Sequence, residues 1–278
     1  MSQQQQKDDL SVIPKVAIWT IVLFLACASS YVAILTFTIK GTIPYAAGLL
    51  GLYICSYLLF TPMHDSAHKS IARNRFLNDL IGRLSALAAL APFHAFRYCH
   101  LEHHKHTNDE KKDPDMWSGR GTSFLTGLLH WCTQDLYYYS FYFPLLKNRS
   151  KSEILEVLAT VIVIYSFLIS LLILGHYEIF FLIVLPSRMA VTTLAFAFDY
   201  LPHHPHKVLS SEDRFKATVN FKEKWLSPFL VYQNYHLMHH LSPAVPFYLY
   251  KKAWKAKEAS LVEKGAQVKS VFTAFERS

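Results

Sequence analysis

The 278-residue chain has only four cysteines, Cys27, Cys55, Cys99 and Cys132. They are widely spaced, with no CxxC pair, which excludes a disulfide framework and suits a reducing, cytosol-facing protein. No nucleic-acid-binding motif accompanies the formal charge of +8, and the basic residues are scattered rather than clustered. No haem-binding, flavin-binding or iron–sulfur motif is present, so a redox reaction here would need electrons from outside the chain. No internal repeat occurs, and the only biased tract is Gln3–Gln6.

What the chain does have is long apolar runs: 52% of its residues are hydrophobic and 15% aromatic. A membrane-crossing helix needs about 20 mostly apolar residues, and four runs qualify, at 16–38, 43–60, 154–174 and 179–198. Short links at 40–42 and 175–178 make them two hairpins. Pro186 and Arg188 interrupt the fourth run, which predicts a kink and an arginine facing the bundle interior. The first run is too long for a secretory signal and follows Lys7-Asp8-Asp9 with no small-residue cleavage site, so it reads as a retained anchor.

The charges orient the hairpins. Of the 28 Lys and Arg, 2 precede the first run, 12 lie between the second and third, and 12 follow the fourth; only Lys40 and Arg188 remain. The positive-inside rule then places both hairpin tips outside and everything else in the cytoplasm. The expected fold is an all-α integral membrane protein: four transmembrane helices as two hairpins, with a cytoplasmic helical cap. The expected organisation is a tail at 1–15, a membrane domain at 16–250, and a charged helix or tail at 251–278. Residues 77–96, apolar but carrying Asn78, Asp79 and Arg83, read as an interfacial or re-entrant helix. Residues 124–146, rich in Trp and Tyr, read as an interfacial belt.

Most of the fifteen histidines fall in short clusters. His64 and His68 form HxxxH. His100, His103 and His104 form HxxHH, and so do His236, His239 and His240. Helical residues three and four apart share a face, so each box can aim two or three imidazoles at one point. Neutral imidazole binds Fe, Zn, Cu and Ni. Eight histidines are too many for one tetrahedral zinc and suit two ions with open positions. In Leu201-Pro202-His203-His204-Pro205-His206, His203 is the ninth candidate and His204 its rival; His206 reads as a surface residue. His106 reads as a supporting or solvated residue, and His94, His130 and His176 lack partners. Asp65, Glu102, Asp113, Asp115 and Asp199 are candidates to accept the far N–H of a ligand imidazole, with solvation or capping the alternative. Asn234 is a candidate weak ligand or hydrogen-bond partner of a metal-bound water.

The set HxxxH, HxxHH and HxxHH, placed around two hairpins, resembles the membrane fatty-acid desaturase and hydroxylase superfamily over residues 62–250. Phe96-Arg97-Tyr98-Cys99-His100, Asp113-Pro114-Asp115, Leu201-Pro202-His203-His204-Pro205 and Gln233-Asn234-Tyr235-His236, with Pro243 and Pro246, look like the bacterial beta-carotene hydroxylases. His204 departs from that branch's usual residue. The first box also departs from the HxxxxH of stearoyl-CoA desaturases, which argues against an acyl-CoA substrate. The resemblance implies two Fe2+ ions, O2 as co-substrate and oxidation of a C–H bond in a lipid-soluble molecule. Hydroxylation of a carotenoid ring is the favoured reaction and acyl-lipid desaturation the alternative. It also implies an external electron donor such as ferredoxin with its reductase, and a bacterial inner membrane. A membrane zinc hydrolase would need fewer histidines. A metal transporter would carry them in mid-span.

Overall fold

The computed structural model describes residues 15–275, so all but the last residue of the expected tail at 1–15 lies outside the described residues. The helices are α1 (Ile18–Ile39), α2 (Tyr45–Ala67), α3 (Arg75–Ala86), α4 (Phe93–His106), α5 (Met116–Gly119), α6 (Phe124–Cys132), α7 (Gln134–Tyr142), α8 (Lys151–Ile173), α9 (Tyr177–Leu194), α10 (His236–Leu241) and α11 (Tyr250–Glu263). Four of them, α1, α2, α8 and α9, are long and apolar enough to cross a membrane. Their outward faces carry large exposed apolar side chains such as Leu25, Val32, Ile162 and Ile173. That surface is suited to lipid, in which each helix satisfies its own backbone hydrogen bonds. The chain is an all-helical membrane protein of two hairpins with a helical cap over one end.

Each hairpin reverses on a glycine in the left-handed region, Gly41 (φ +75°) and Gly175 (φ +78°), a conformation that costs glycine little. The central helix is α2, packed against α1, α3, α4 and α9. It continues seven residues beyond the apolar run that marks it in the sequence, through Pro62 to Ala67. The first histidine box is therefore on the last turns of the span itself, not after it. Pro62 and the polar box look like a stop signal, but every residue from 61 to 67 is buried under the cap. Tertiary packing carries the helix on.

Helices α3 and α4 meet at 96°. The break is a 3-10 turn, Leu87–Ala89, followed by Leu90 at φ +55°. This bent pair, started by the Asn74 side chain accepting from Leu77 N, covers the segment at 77–96 that the sequence reads as interfacial or re-entrant, and by length and composition its shape suits a broken span or a re-entrant loop. Gly82 lets α3 lie against α2: a Cβ there would fall on Ser66 Oγ and within 2.5 Å of the Phe93 ring. Helix α9 contains Pro186 and ends in a π-turn, Ala195–Tyr200. Arg188 faces inward, as its position in an apolar run requires, and pairs with Asp135 of α7 at 2.8 Å.

The cap joins short helices by long turns, such as those at 201–218 and 227–232. Among the described residues it also carries two three-residue strands, β1 (Val219–Phe221) and β2 (Gln267–Lys269), paired in parallel. Helix α11 packs into the cap through Tyr250, Ala253 and Trp254, against Leu237, Met238 and Phe247.

Candidate metal centre

Three helix ends and one loop bring nine histidines together. His64 lies on the last turn of α2 and His68 caps it; His100, His103 and His104 line the end of α4; His236, His239 and His240 make up half of α10; His203 lies three residues beyond the π-turn that ends α9. Their ligand atoms form two groups, each with all members within 4.8 Å of one another. His64, His68, His100, His104 and His239 form one; His103, His203, His236 and His240 form the other.

Helix geometry explains the division. Residues four apart keep nearly one direction, so His64/His68, His100/His104 and His236/His240 stay paired. Adjacent residues diverge by roughly 100°, so His103 and His104 serve different groups, as do His239 and His240. The groups touch: the rings of His104 and His240 stack at 4.2 Å.

Within the five-histidine group, Nε2–Nε2 separations are 3.1 Å for His64 and His239, 2.8 Å for His68 and His100, and 3.2 Å for His100 and His104. In the other they are 3.3 Å for His103 and His240, 3.0 Å for His203 and His236, and 3.1 Å for His236 and His240. Two imidazole nitrogens bound at right angles to one ion, at roughly 2.1 Å each, stand about 3.0 Å apart. The spacing fits metal ligation on two adjacent ions.

The far nitrogens are held in turn. His103 Nδ1 lies 2.9 Å from Asp113 and 3.4 Å from Asp115; Asp115 also receives a hydrogen bond from the Tyr138 hydroxyl. His236 Nδ1 meets Gln233 Oε1 at 3.0 Å, and His239 Nδ1 meets the Tyr250 hydroxyl at 3.0 Å. Such partners fix the tautomer that leaves Nε2 free to bind. Asp65 lies 3.6 Å from His64 Nδ1 and accepts from the Thr20 hydroxyl at 2.9 Å, bracing α1 against α2.

Burial, reinforced by neighbouring histidines, pulls His68, His100, His104, His203, His236, His239 and His240 well below the ordinary histidine range. They are therefore neutral, the form that coordinates. His103 is the exception: burial lowers it too, but Asp113 and Asp115 outweigh burial and push it up to about 9. Negative charge thus stands beside the group with one fewer imidazole, where a cation would complete the balance.

The other candidates fall elsewhere. His204 joins neither group; its ring lies 5.2 Å from Tyr200. His206 is half-buried, not a surface residue, and stacks on His203 at 6.1 Å. His106 and Lys105 face Glu102, which meets none of the nine imidazoles. His94 approaches Glu156 at 3.4 Å, and His130 packs on Trp117. Asn234 is buried with both amide atoms unpartnered and belongs to neither group. Gln233 and Tyr250 went unmarked as supporting residues in the sequence. Gln233 could have been found from its position three residues before His236; Tyr250 has no local signal.

An apolar cleft runs between α2, α4, α7 and α9, walled by Phe60, Met63, Ala95, Phe96, Tyr138 and Leu194. A smaller space among His64, His100, His103 and His236 adjoins it, and Phe60, His100 and Asp199 line both. A greasy slot thus ends on the histidines, the arrangement of a site that brings a lipid-soluble molecule to a metal.

Comparison with known proteins agrees. Residues 41–272 match the family model described as fatty acid desaturase. The sn-1 oleoyl-lipid 12-desaturase of Synechocystis sp. is 24% identical over 214 residues, 68% of this chain and 61% of that enzyme. The zeaxanthin 4-ketolase of Chlamydomonas reinhardtii is 27% identical over 212 residues, 75% of this chain and 42% of that protein. The sn-1 acyl-lipid omega-3 desaturase (ferredoxin) of Nostoc sp. is 42% identical over 61 residues, 22% of this chain and 17% of that enzyme. This chain thus spans about three fifths of the length of the curated desaturases it matches. With the family model covering most of its length and the histidine boxes meeting under the cap, the chain belongs to the fatty acid desaturase family.

Proposed function

We propose that this chain is a membrane di-iron oxygenase that oxidises a C–H bond of a lipid-soluble substrate, and that hydroxylation of a carotenoid ring is its reaction. The observation that carries the reading is the junction of two imidazole groups at ligand spacing with an apolar cleft that ends on His100. His64, His68, His100, His104 and His239 would hold one iron; His103, His203, His236 and His240 the other. Bound there, a pair of ferrous ions supplies O2 activation and the oxidising power to attack an unactivated C–H bond.

The protein's part is placement. Phe60, Met63, Phe96 and Leu194 exclude water and hold an apolar group against the His100 end of the cleft. Asp113, Gln233 and Tyr250 keep the N–H of their histidines on the far side from the reacting carbon. The excess of Lys and Arg in the segments flanking the boxes supports a cytoplasmic site, in a bacterial inner membrane. The same basic face suits an acidic one-electron donor such as ferredoxin, and one relative's name specifies ferredoxin.

The carotenoid reading draws on the motifs around the second and third boxes and on the match to a carotenoid ketolase over 75% of this chain. Desaturation of an acyl lipid is the second reading, favoured by the acyl-lipid desaturases among the relatives. The test is a product profile from a bacterial host that accumulates beta-carotene and expresses this chain with a ferredoxin and its reductase. His103→Ala and His239→Ala serve as controls. Hydroxylated carotenoids absent from both variants are expected. New unsaturated acyl chains with unchanged pigment would replace the first reading by the second, and no change in either pool with iron bound would refute both.

A further inference from the structure

The polar side chains that line the apolar cleft can be accounted for one by one. Tyr138 donates to Asp115, Tyr139 donates to Leu90 O at 3.4 Å, and Asp135 pairs with Arg188. His100 faces His68. Two polar side chains remain. Gln134 is 3% exposed. Its Nε2 donates to Pro114 O at 3.1 Å, but its Oε1 is buried without a hydrogen bond. Asp199, on the π-turn that ends α9, has no hydrogen-bond partner among the described residues and lines the same cleft. Buried acceptors are almost always satisfied in folded proteins, so the Gln134 oxygen calls for a donor that the chain itself does not supply, and Asp199, partly buried, is a second polar group on the same space.

We propose that Gln134 and Asp199 form a hydroxyl-recognition subsite in which Gln134 Oε1 accepts the O–H and Asp199 is its polar neighbour, so that the preferred substrate is a lipid-soluble alcohol arriving with its O–H already in place. An alcohol is a neutral donor that travels in lipid. A ketone or ester would set acceptor against the Gln134 oxygen, and an ammonium would lose its hydration against Phe60, Met63 and Phe96. The hydroxyl is not the one introduced by the reaction: Gln134, which accepts it, lines the cleft but not the smaller space among the histidines, although Asp199 lines both. A hydroxylating step must therefore precede this one. The inference rests on the oxygenase reading only in taking this cleft as the substrate's place.

The test is equilibrium binding of beta-carotene and of its ring-hydroxylated derivative to the purified holoenzyme in lipid nanodiscs, followed by the pigment's absorbance shift, with turnover measured in parallel. The wild type is expected to bind the hydroxylated pigment at least about tenfold more tightly. Gln134→Met and Asp199→Asn, both close in shape to the natural residues, should bring the two pigments to within about threefold of each other. Equal binding by the wild type, or variants that weaken both pigments alike, would overturn the subsite and leave the two acceptors to water. Selective binding without oxidation of either pigment would support the subsite and count against the oxygenase reading, so the two failures are distinguishable.

Discussion

Tyr250→Phe removes one oxygen from a fully buried side chain and leaves its ring packed among Leu237, Met238 and Trp254. The lost contact is the 3.0 Å hydrogen bond to His239 Nδ1. His239 belongs to the five-histidine group alone, with Nε2 3.1 Å from that of His64. Without the hydroxyl, neither the tautomer nor the ring orientation of His239 is held. Removing such a partner weakens metal affinity by about 10–100-fold, or ~1.4–2.8 kcal/mol. Because the four-histidine group does not use His239, the loss should be confined to one ion. Metal per chain, measured by elemental analysis across a chelator series, should fall from two to about one where the wild type still holds two. The melting temperature should shift by only a few degrees, as expected for one buried hydrogen bond worth about 1 kcal/mol. Two ions lost together, or a metal content that matches the wild type throughout, would refute the division into two groups or the part assigned to Tyr250.

His203→Ala should strip the four-histidine group and leave about one ion per chain, whereas His204→Ala, outside both groups, should keep two; elemental analysis of both variants decides which is the ninth ligand. The pH dependence has a definite sign. Burial holds His203, His236, His239 and His240 below the ordinary ~6.5, so their contribution is complete above about pH 6.5 and erodes as pH falls toward their folded values. His103, pushed up to about 9, contributes fully below about pH 6.5 and loses its stabilisation as pH rises through 9. The melting temperature of metal-stripped protein should therefore peak at about pH 6.5, and a flat profile from pH 5 to 10 would contradict the assigned environments. Gly82→Val would drive a side chain into Ser66 and Phe93 and should destabilise by about 1–3 kcal/mol, read as a lowered melting temperature; an unchanged value would mean that α3 does not bear on the first box as described.

The spans could be read from the sequence because an apolar run of about 20 residues carries its own signal. The signal failed at the end of α2, where Pro62 and the polar box mimic a helix stop and only burial beneath the cap overrides it. Strands β1 and β2 escaped for a different reason: three-residue segments 46 positions apart carry no periodicity, and each exists only because the other lies beside it. The histidines were the most visible feature, since spacings of three and four mark a helix face. His203 could not be separated from His204 by any local rule, because both follow the same span; the backbone leaving the π-turn at Tyr200 is what points the first at His236 and the second away. Glu102, plausible in sequence as a support because it sits inside a box, faces the surface with Lys105 and His106. Asp113, outside the box, reaches His103. Proximity along the chain was therefore a poor guide to support, and Tyr250, eleven residues beyond His239, shows why: the far side of a ligand ring is reached by whichever element packs there.

The break between α3 and α4 ties the substrate space to the metal ligands. Leu90, at φ +55°, ends one helix, and Pro92 begins the next at 96° to it. The residues around the turn that line the cleft, Ala89, Ala91, Pro92 and Ala95, are all small. From that wall, α4 rises through Phe96, whose ring stacks on His100 at 5.5 Å, to the second box. One bend thus supplies the wall of the cleft and aims the ligands that close its end. A straight helix from 75 to 106 would have neither the small-residue corner that makes the space nor the change of direction that brings His100 and His104 to His68 and His239. The cleft and the ligand set are therefore two consequences of the same local backbone choice, with the distance between them fixed by the one and a half helical turns from Ala95 to His100.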